Sequence, residues 1–472
     1  MDRLFCKKNA FFIVGFVILF KMFLSACVEL HPDEAYYWLW SQHLALGYFD
    51  HSPMVAWFIK ITTLFSNSEL AVRFSSMILT IIVSLVIWKL AKKLFNETIA
   101  SASVIVLNTL PEMMVASIVI TPDTPVFLFF SLTLYYMWRL IETNKTKFWY
   151  ITGLFFGLAL LSKYTAILFG LSLFIYTIAD KKWTWFENKH FYLMFVVSFI
   201  VFLPVIIWNY RHDWVSFTFQ LHHGLTSDGI HWNYVFDYLC SQCLVAGPII
   251  FISGIIAGLG YFCSKNSKRI FIASFSIPII AFFMFTALKR NPGANWPAFA
   301  YFAFSIMVCA YLLENNSDIK RKVLIYGTTF NFIISFLLGL HVKYAIIPLG
   351  IFSRHAAVAD ATNWFHGWKD LGDYLIKKDI KYVVTDNQQW GGIVAYYTEN
   401  KFGVLTGHVP VNQFKYWEIP KDLAYSKTAI VKIDKDMGDN FSKIENADIL
   451  TVSRKSIPIR QYAIVETNGY VR

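Results

Sequence analysis

His31-Pro32-Asp33-Glu34-Ala35-Tyr36-Tyr37-Trp38-Leu39-Trp40, continuing through Gly47-Tyr48-Phe49-Asp50-His51-Ser52-Pro53, follows closely on an apolar run at residues 11–28. Carboxylates beside a segment of membrane-spanning length are costly, because at a bilayer edge they must be solvated, paired or put to use. The surrounding aromatics fit the belt that tryptophan and tyrosine form at headgroup level. The plainer reading is a turn whose acids only solvate it. An adjacent Asp-Glu pair at a membrane face is also a device for proton transfer, and that reading is the one followed here.

The rest of the chain supplies the membrane. Of 472 residues, 56% are hydrophobic, 18% aromatic and 15% charged, with a mean hydropathy of +0.47. A soluble protein of this length could not bury so much apolar surface, so the composition predicts a polytopic α-helical membrane protein. The net charge of +11 would suit nucleic acid. The basic residues, however, form short clusters between apolar runs, the pattern of cytoplasmic loops, and no nucleic-acid partner is expected. All six cysteines precede the C-terminal tail, which argues against a disulfide framework there. Cys240 and Cys243 lack a second pair of ligands and read as helix packing. The N-terminus has the outline of a signal peptide. No small-residue cleavage site follows, so a retained first helix is expected.

Apolar runs fall at residues 11–28, 72–90, 99–120, 124–140, 148–161, 164–178, 191–208, 235–262, 270–288, 297–313 and 323–347, which predicts about eleven transmembrane helices. Residues 148–178 could be one long helix or a hairpin. The hairpin keeps Lys92-Lys93, Lys145 with Lys147, Lys181-Lys182 and Lys320-Arg321-Lys322 on one side, the cytoplasmic one. The first loop then lies outside, where residues 34–46 and 53–65 read as interfacial helices. From about residue 353 the texture becomes that of a small α/β domain, with helices near 368–377 and 392–398 and strands near 380–385, 429–433 and 462–465. The expected division is a membrane domain over 1–350 and an α/β domain over 351–472.

This topology puts Asp33, Glu34, Asp50, His51, Asp123, Lys163, Lys289, Arg290 and Asn295 on the outer face. Acids and cations in one pocket would suit transfer from a lipid-linked phosphate: a carboxylate accepts the proton of an attacking hydroxyl, and a cation meets the charge growing on the departing phosphate. Each residue has a structural alternative. Asp33 or Asp123 could cap a helix, Glu34 could be a first-turn charge, and Lys163 could snorkel from a helix end. The adjacent His222 and His223 point apart on most backbones and are not expected to bind metal.

Four blocks carry a resemblance: H-P-D-E-A-Y-Y-W-L-W from His31 into G-Y-F-D-H-S-P ending at Pro53, I-T-P-D-T-P around Asp123, L-L-S-K-Y-T-A around Lys163, and G-A-N-W-P-A around Asn295. In order and over nearly the whole membrane part, the chain resembles the bacterial, protein-mannosyltransferase-like branch of the GT-C glycosyltransferases, the superfamily that includes the lipid A aminoarabinose transferase. The resemblance implies an inverting transfer of one sugar from a polyprenyl (undecaprenyl) phosphate donor, on the periplasmic face of a bacterial inner membrane. The acceptor class it implies is lipid A, another surface glycan or a protein. It makes Asp33 the catalytic acid of the first outer loop, with Glu34 its partner and Asp123 a second acid. It also makes Lys163 with Tyr164, and Lys289 with Arg290, phosphate or substrate contacts, and leaves Asp50, His51, Asn295 and Trp296 as further contacts. Members of this branch commonly read Asp-His-Pro-Pro where this chain has Asp50-His51-Ser52-Pro53. No metal or other cofactor is expected, since cations already answer the phosphate charge. Two rival readings stand beside it: a lipid-linked-sugar flippase without transfer, and a glycan-binding scaffold whose acids are inert. A flippase would carry intramembrane charges near the bilayer centre and a paired-repeat hydropathy pattern, and neither is evident in the sequence.

Overall fold

The computed structural model describes residues 5–225, 229–315, 317–407, 412–434 and 446–470. The chain forms two compact units, one drawn from Met1–Met22, Leu46–Val55 and Ser75–Phe336, the other from Phe23–Ala45, Ala56–Phe74 and Leu337–Arg472. Among the described residues, six helices are long and apolar enough to cross a membrane, or up to eight if two bent pairs each count as one span. Three shorter apolar helices, Lys147–Leu160, Tyr164–Ala179 and Ala298–Leu313, occupy the remaining expected runs. This is a multi-pass membrane protein, with six to eight spans by length and composition where the sequence suggested about eleven.

Both bent pairs break where the sequence dictates. Glu97–Thr109 and Pro111–Ile118 meet at 66° because Leu110 precedes a proline and is pushed to an extended conformation (φ −59°, ψ 134°). Trp232–Ala246 and Pro248–Phe262 meet at 108° across Gly247, whose φ of +76° suits only glycine. The 148–178 run is also two helices. It breaks at Lys163, which is extended (φ −156°, ψ 133°), after which the chain re-enters a helix at Leu168–Ala179. The first arm packs against Asp123–Thr143 and Lys189–Arg211, the second against Ser267–Ser274 and Ile277–Ala287.

Gly153 and Gly157 allow the closest of these contacts. A Cβ at Gly153 would lie 2.4 Å from the carbonyl oxygen of Met194, and one at Gly157 would lie 2.6 Å from Cβ of Val201. This small-xxx-small face lets two backbones touch where lipid supplies no hydrophobic drive.

The second unit is built on a five-stranded mixed sheet. Strands β1 (Tyr382–Thr385), β2 (Gly403–Thr406), β3 (Thr428–Asp434), β4 (Ala447–Arg454) and β5 (Ile457–Thr467) lie in the order β2-β1-β3-β5-β4. The β1 pairings are parallel and the β5 pairings antiparallel. Three strands fall where the hydrophobic runs predicted them. β2 has four residues and begins with glycine, and β4 is a largely exposed edge strand, so neither carries the apolar run by which a strand is recognised.

The Pro32–Gln42 helix, expected to lie in the membrane interface, is buried from Glu34 to Ser41. It packs against the Gln388–Tyr397 helix of the same unit so tightly that a Cβ on Gly392 would come within 2.5 Å of the Tyr36 amide nitrogen. Met54–Thr62 provides the other predicted helix of the first loop.

Candidate active site

In the first unit, Asp123 opens the Asp123–Thr143 helix but does not cap it: the N-cap is Pro122, with no side-chain capping bond. The Asp123 carboxylate is used elsewhere. Oδ1 accepts from Lys163 Nζ at 2.6 Å and Oδ2 accepts from Asn295 Nδ2 at 2.9 Å. Asp123 and Lys163 are 4% and 8% exposed, so Lys163 is a buried partner and not a snorkelling side chain.

The loop bearing Asn295 is fixed from behind. Tyr301 donates its hydroxyl to Gln242 Oε1 at 2.6 Å, and Gln242 Nε2 donates to the Ala294 carbonyl at 3.0 Å. Trp296 packs 5.9 Å from Phe283. Among the described residues, Lys163 uses one of its three ammonium donors, on Asp123, which leaves it capacity for a further acceptor.

The Asp50–Pro53 turn is anchored beside Lys163. Ser52 Oγ donates to the Leu160 carbonyl at 2.9 Å and the Met54 amide to the Leu161 carbonyl at 3.3 Å. Ser52 therefore makes a side-chain bond that a proline at this position could not. Gln220 Nε2 donates to the Asp50 backbone carbonyl and lies 3.5 Å from His51 Nδ1. Tyr164 shares a 2.8 Å hydrogen bond with Ser216. Lys289 and Arg290 differ: both are exposed, just beyond the Ile277–Ala287 helix.

In the second unit the acidic pair divides. His31 caps the Pro32–Gln42 helix, its Nδ1 accepting from the Asp33 amide, and Glu34 closes the capping box by accepting from the His31 amide at 2.9 Å. With the cap already made, the Asp33 side chain is 41% exposed, its carboxylate 3.7 Å from the His31 Nδ1 that the cap occupies. Glu34 is fully buried with Arg73. Arg73 Nε donates to Oε1 at 2.9 Å and Nη2 to Oε2 at 2.6 Å. Glu34 therefore supports Asp33 by fixing the helix that carries it; its oxygens are already engaged and it is not poised as a second base.

Three ionisable residues that sequence reasoning passed over take part. Arg73 holds Glu34. Glu112 is buried, within electrostatic range of both Asp123 and Lys163. Lys21, also buried, donates to the Met113 carbonyl at 2.9 Å and to Ser117 Oγ at 3.2 Å, so it grips the short helix that carries Glu112. Each lies inside a predicted apolar run, and a charge within such a run is the signal that would have found it.

The family model described as "Dolichyl-phosphate-mannose-protein mannosyltransferase" matches residues 50–208, the segment holding Asp50, His51, Asp123 and Lys163. A lipid A galacturonosyltransferase, RgtD, of Rhizobium johnstonii is 26% identical over 315 residues, and the match spans 64% of this chain and 64% of that relative's length. The crystal structure of ArnT from Cupriavidus metallidurans in the apo state superposes with a TM-score of 0.71 at 15% identity, covering 96% of this chain and 97% of that one. The same enzyme bound to undecaprenyl phosphate gives 0.70 at 14% identity, with 98% and 99% covered. The fold is GT-C. Within that class the architecture is ArnT-like, with a small C-terminal sheet domain.

Proposed function

We propose that this chain is an inverting glycosyltransferase that moves one sugar from a polyprenyl phosphate, undecaprenyl phosphate in a bacterial inner membrane, to lipid A or another surface glycan on the periplasmic side. Residues 1–350 would form the catalytic membrane domain and 351–472 a periplasmic one. The single observation that carries the reading is Lys163: a buried lysine, anchored by Asp123 and with donors to spare, in the segment the family model matches.

Asp33 accepts the proton of the acceptor hydroxyl as that oxygen bonds to the sugar's anomeric carbon. The bond from that carbon to the phosphate oxygen breaks, with inversion. Lys163 meets the charge that grows on the phosphate, where a preformed donor is worth more than one that must reorganise. Asp123, itself held by Asn295, keeps Lys163 in place. Tyr164 and the Asp50–Pro53 turn support the same segment, Trp296 offers a ring to the sugar, and the exposed Lys289 and Arg290 draw anionic headgroups towards the protein. The relatives support this reading by what they act on or bind: lipid A for RgtD, undecaprenyl phosphate for ArnT.

Proteoliposomes loaded with radiolabelled polyprenyl-phosphate sugar test it. Asp33→Asn should abolish transfer while the protein stays folded, and chelation with EDTA should leave transfer unchanged. Movement of the sugar-lipid across the bilayer without transfer would replace the reading with a flippase.

A further inference from the structure

The second unit contains a cleft of about 580 Å³ framed by Trp38, by Asn67 to Glu69, and by the Trp368–Ile376 and Gln388–Tyr397 helices with Glu399 and Asn400 beyond them. Its buried side is aromatic. Trp38, from the Pro32–Gln42 helix, meets Tyr396 edge-on at 5.0 Å, and Tyr397 lines the same cavity. The rings are held before anything binds. Tyr396 donates its hydroxyl to the Asn67 carbonyl at 2.6 Å. The Tyr397 oxygen accepts from the Leu30 amide at 2.8 Å and donates to Glu69 Oε1 at 3.4 Å. Rings fixed in this way lose little freedom on binding. The polar side of the cleft carries the amides of Asn67 and Asn400, the carboxylates of Glu69, Asp373 and Glu399, and the ammonium of Lys369.

We propose that this cleft is a binding site for a neutral or amine-bearing saccharide. Its volume falls in the range of small-molecule sites, roughly 300–1,000 Å³. The partly exposed Tyr397 ring, backed by the buried Trp38 and Tyr396, suits the C–H face of a sugar, while amides and carboxylates supply the mixture of donors and acceptors that vicinal hydroxyls require. Charge selects among sugars. Three carboxylates against one ammonium repel a phosphate or a uronate and tolerate, or attract, an uncharged or aminated ring. Trp38 lies five residues beyond Asp33 on one helix, about 7.5 Å along its axis. A non-reacting sugar of the acceptor is therefore a fitting occupant, a use that rests on the transferase reading, whereas the binding itself does not.

Saturation-transfer NMR on the full chain, in a detergent without a sugar headgroup, tests the proposal. N-Acetylglucosamine and glucosamine should show saturation transfer, with glucose 6-phosphate at least tenfold weaker. Asp373→Asn combined with Glu399→Gln, at two exposed positions, should bring the phosphorylated sugar to within a few-fold of the neutral one. Asn67→Ala should weaken all three sugars. Absence of any saccharide signal, equal binding of glucose 6-phosphate to the wild-type protein, or signals unmoved by these substitutions would overturn it. Asp33→Asn should retain binding while losing transfer, so a failure here is distinguishable from a failure of the transferase reading.

Discussion

Two buried ion pairs, one in each unit, look alike in a list of contacts and are built for opposite ends. Arg73 and Glu34 are both fully buried, and every guanidinium N–H is engaged. Nε and one Nη2 hydrogen go to Glu34, and the others go to the carbonyls of Ser25, Val28 and Glu29 at 2.8–2.9 Å. Arginine has five donors, so nothing is left over. Lys163 and Asp123 are nearly as buried, but the lysine gives Asp123 one donor and a second carboxylate, Glu112, sits in range. A saturated pair fixes a backbone. An unsaturated pair of similar burial carries the desolvation cost without completing its bonds, and such an arrangement persists when a ligand completes it.

The largest effect expected is on stability. Arg73→Met leaves Glu34 and three carbonyls without their donor, and breaking one side of a buried pair costs about 3–5 kcal/mol. Adding Glu34→Leu should recover only part of that loss, because the carbonyls of Ser25, Val28 and Glu29 remain unsatisfied. Thermal unfolding of the three proteins measures it, and full recovery in the double variant would show that Arg73 serves Glu34 alone.

The matching double variant in the first unit should behave in the reverse way. Lys163→Met with Asp123→Asn removes both charges together and keeps an acceptor for Asn295, so the melting temperature should stay within a few degrees of wild type. Transfer should fall about 10²–10³-fold, the usual consequence of losing one preorganised donor to a developing oxyanion. A folded double variant with unaltered kcat would erase the distinction between the two pairs.

How much of this contrast could be read from sequence follows from the reach of its signals. Hydropathy marked the apolar runs, and the short motifs singled out Asp33, Asp123, Lys163 and Asn295 as candidates, because apolar runs and local spacing lie along the chain. The two bends were not read, since 99–120 and 235–262 each passed for one unbroken apolar run, although Pro111 and Gly247-Pro248 mark the breaks. The partner of Glu34 was not, since Arg73 lies 39 positions away at the edge of an apolar run. The spare capacity of Lys163 was not either, because it depends on what surrounds the ammonium. Nor did the sequence separate Asp33 from Glu34: both are acids in the first turn of one helix, and only burial makes one a clamp and leaves the other accessible.

A pH effect of intermediate size should belong to the second unit. His366 Nε2 donates to the Val342 carbonyl at 2.7 Å, and Arg454 Nη2 donates to the same oxygen at 2.7 Å. Burial, reinforced by the Arg454 charge, pushes the imidazole down to about 4. With the folded pKa below the unfolded one, the stabilisation is present above pH 6.5. It declines as the unfolded chain takes up a proton that the folded one refuses. Between pH 7 and pH 5 the loss should be about 2 kcal/mol. It should show as a falling melting temperature that His366→Gln flattens, while the Lys163 double variant keeps the wild-type slope.

The smallest effect should come from Glu29, where a carboxylate serves architecture under strain. Its Oε2 accepts from the Trp368 amide at 2.6 Å and the Lys369 amide at 3.3 Å, so it caps the Trp368–Ile376 helix from far along the chain, where an anion also favours the helix dipole. Burial nevertheless raises its pKa. A raised acid contributes stability below its unfolded pKa and loses it as pH climbs through the folded one, so at neutral pH the charge is a burden that the two amides only partly offset. Glu29→Gln keeps an acceptor oxygen and discards the charge. The two changes oppose each other, and the net shift in stability should stay under about 1 kcal/mol, within the usual range for a cap, with a weaker dependence on pH. A loss as large as that of Arg73→Met would mean that the Glu29 charge, and not its hydrogen bonds, holds this helix to residues 23–45, and the saturated pair would then be only one of two ionic clamps on the strand of chain that carries Asp33.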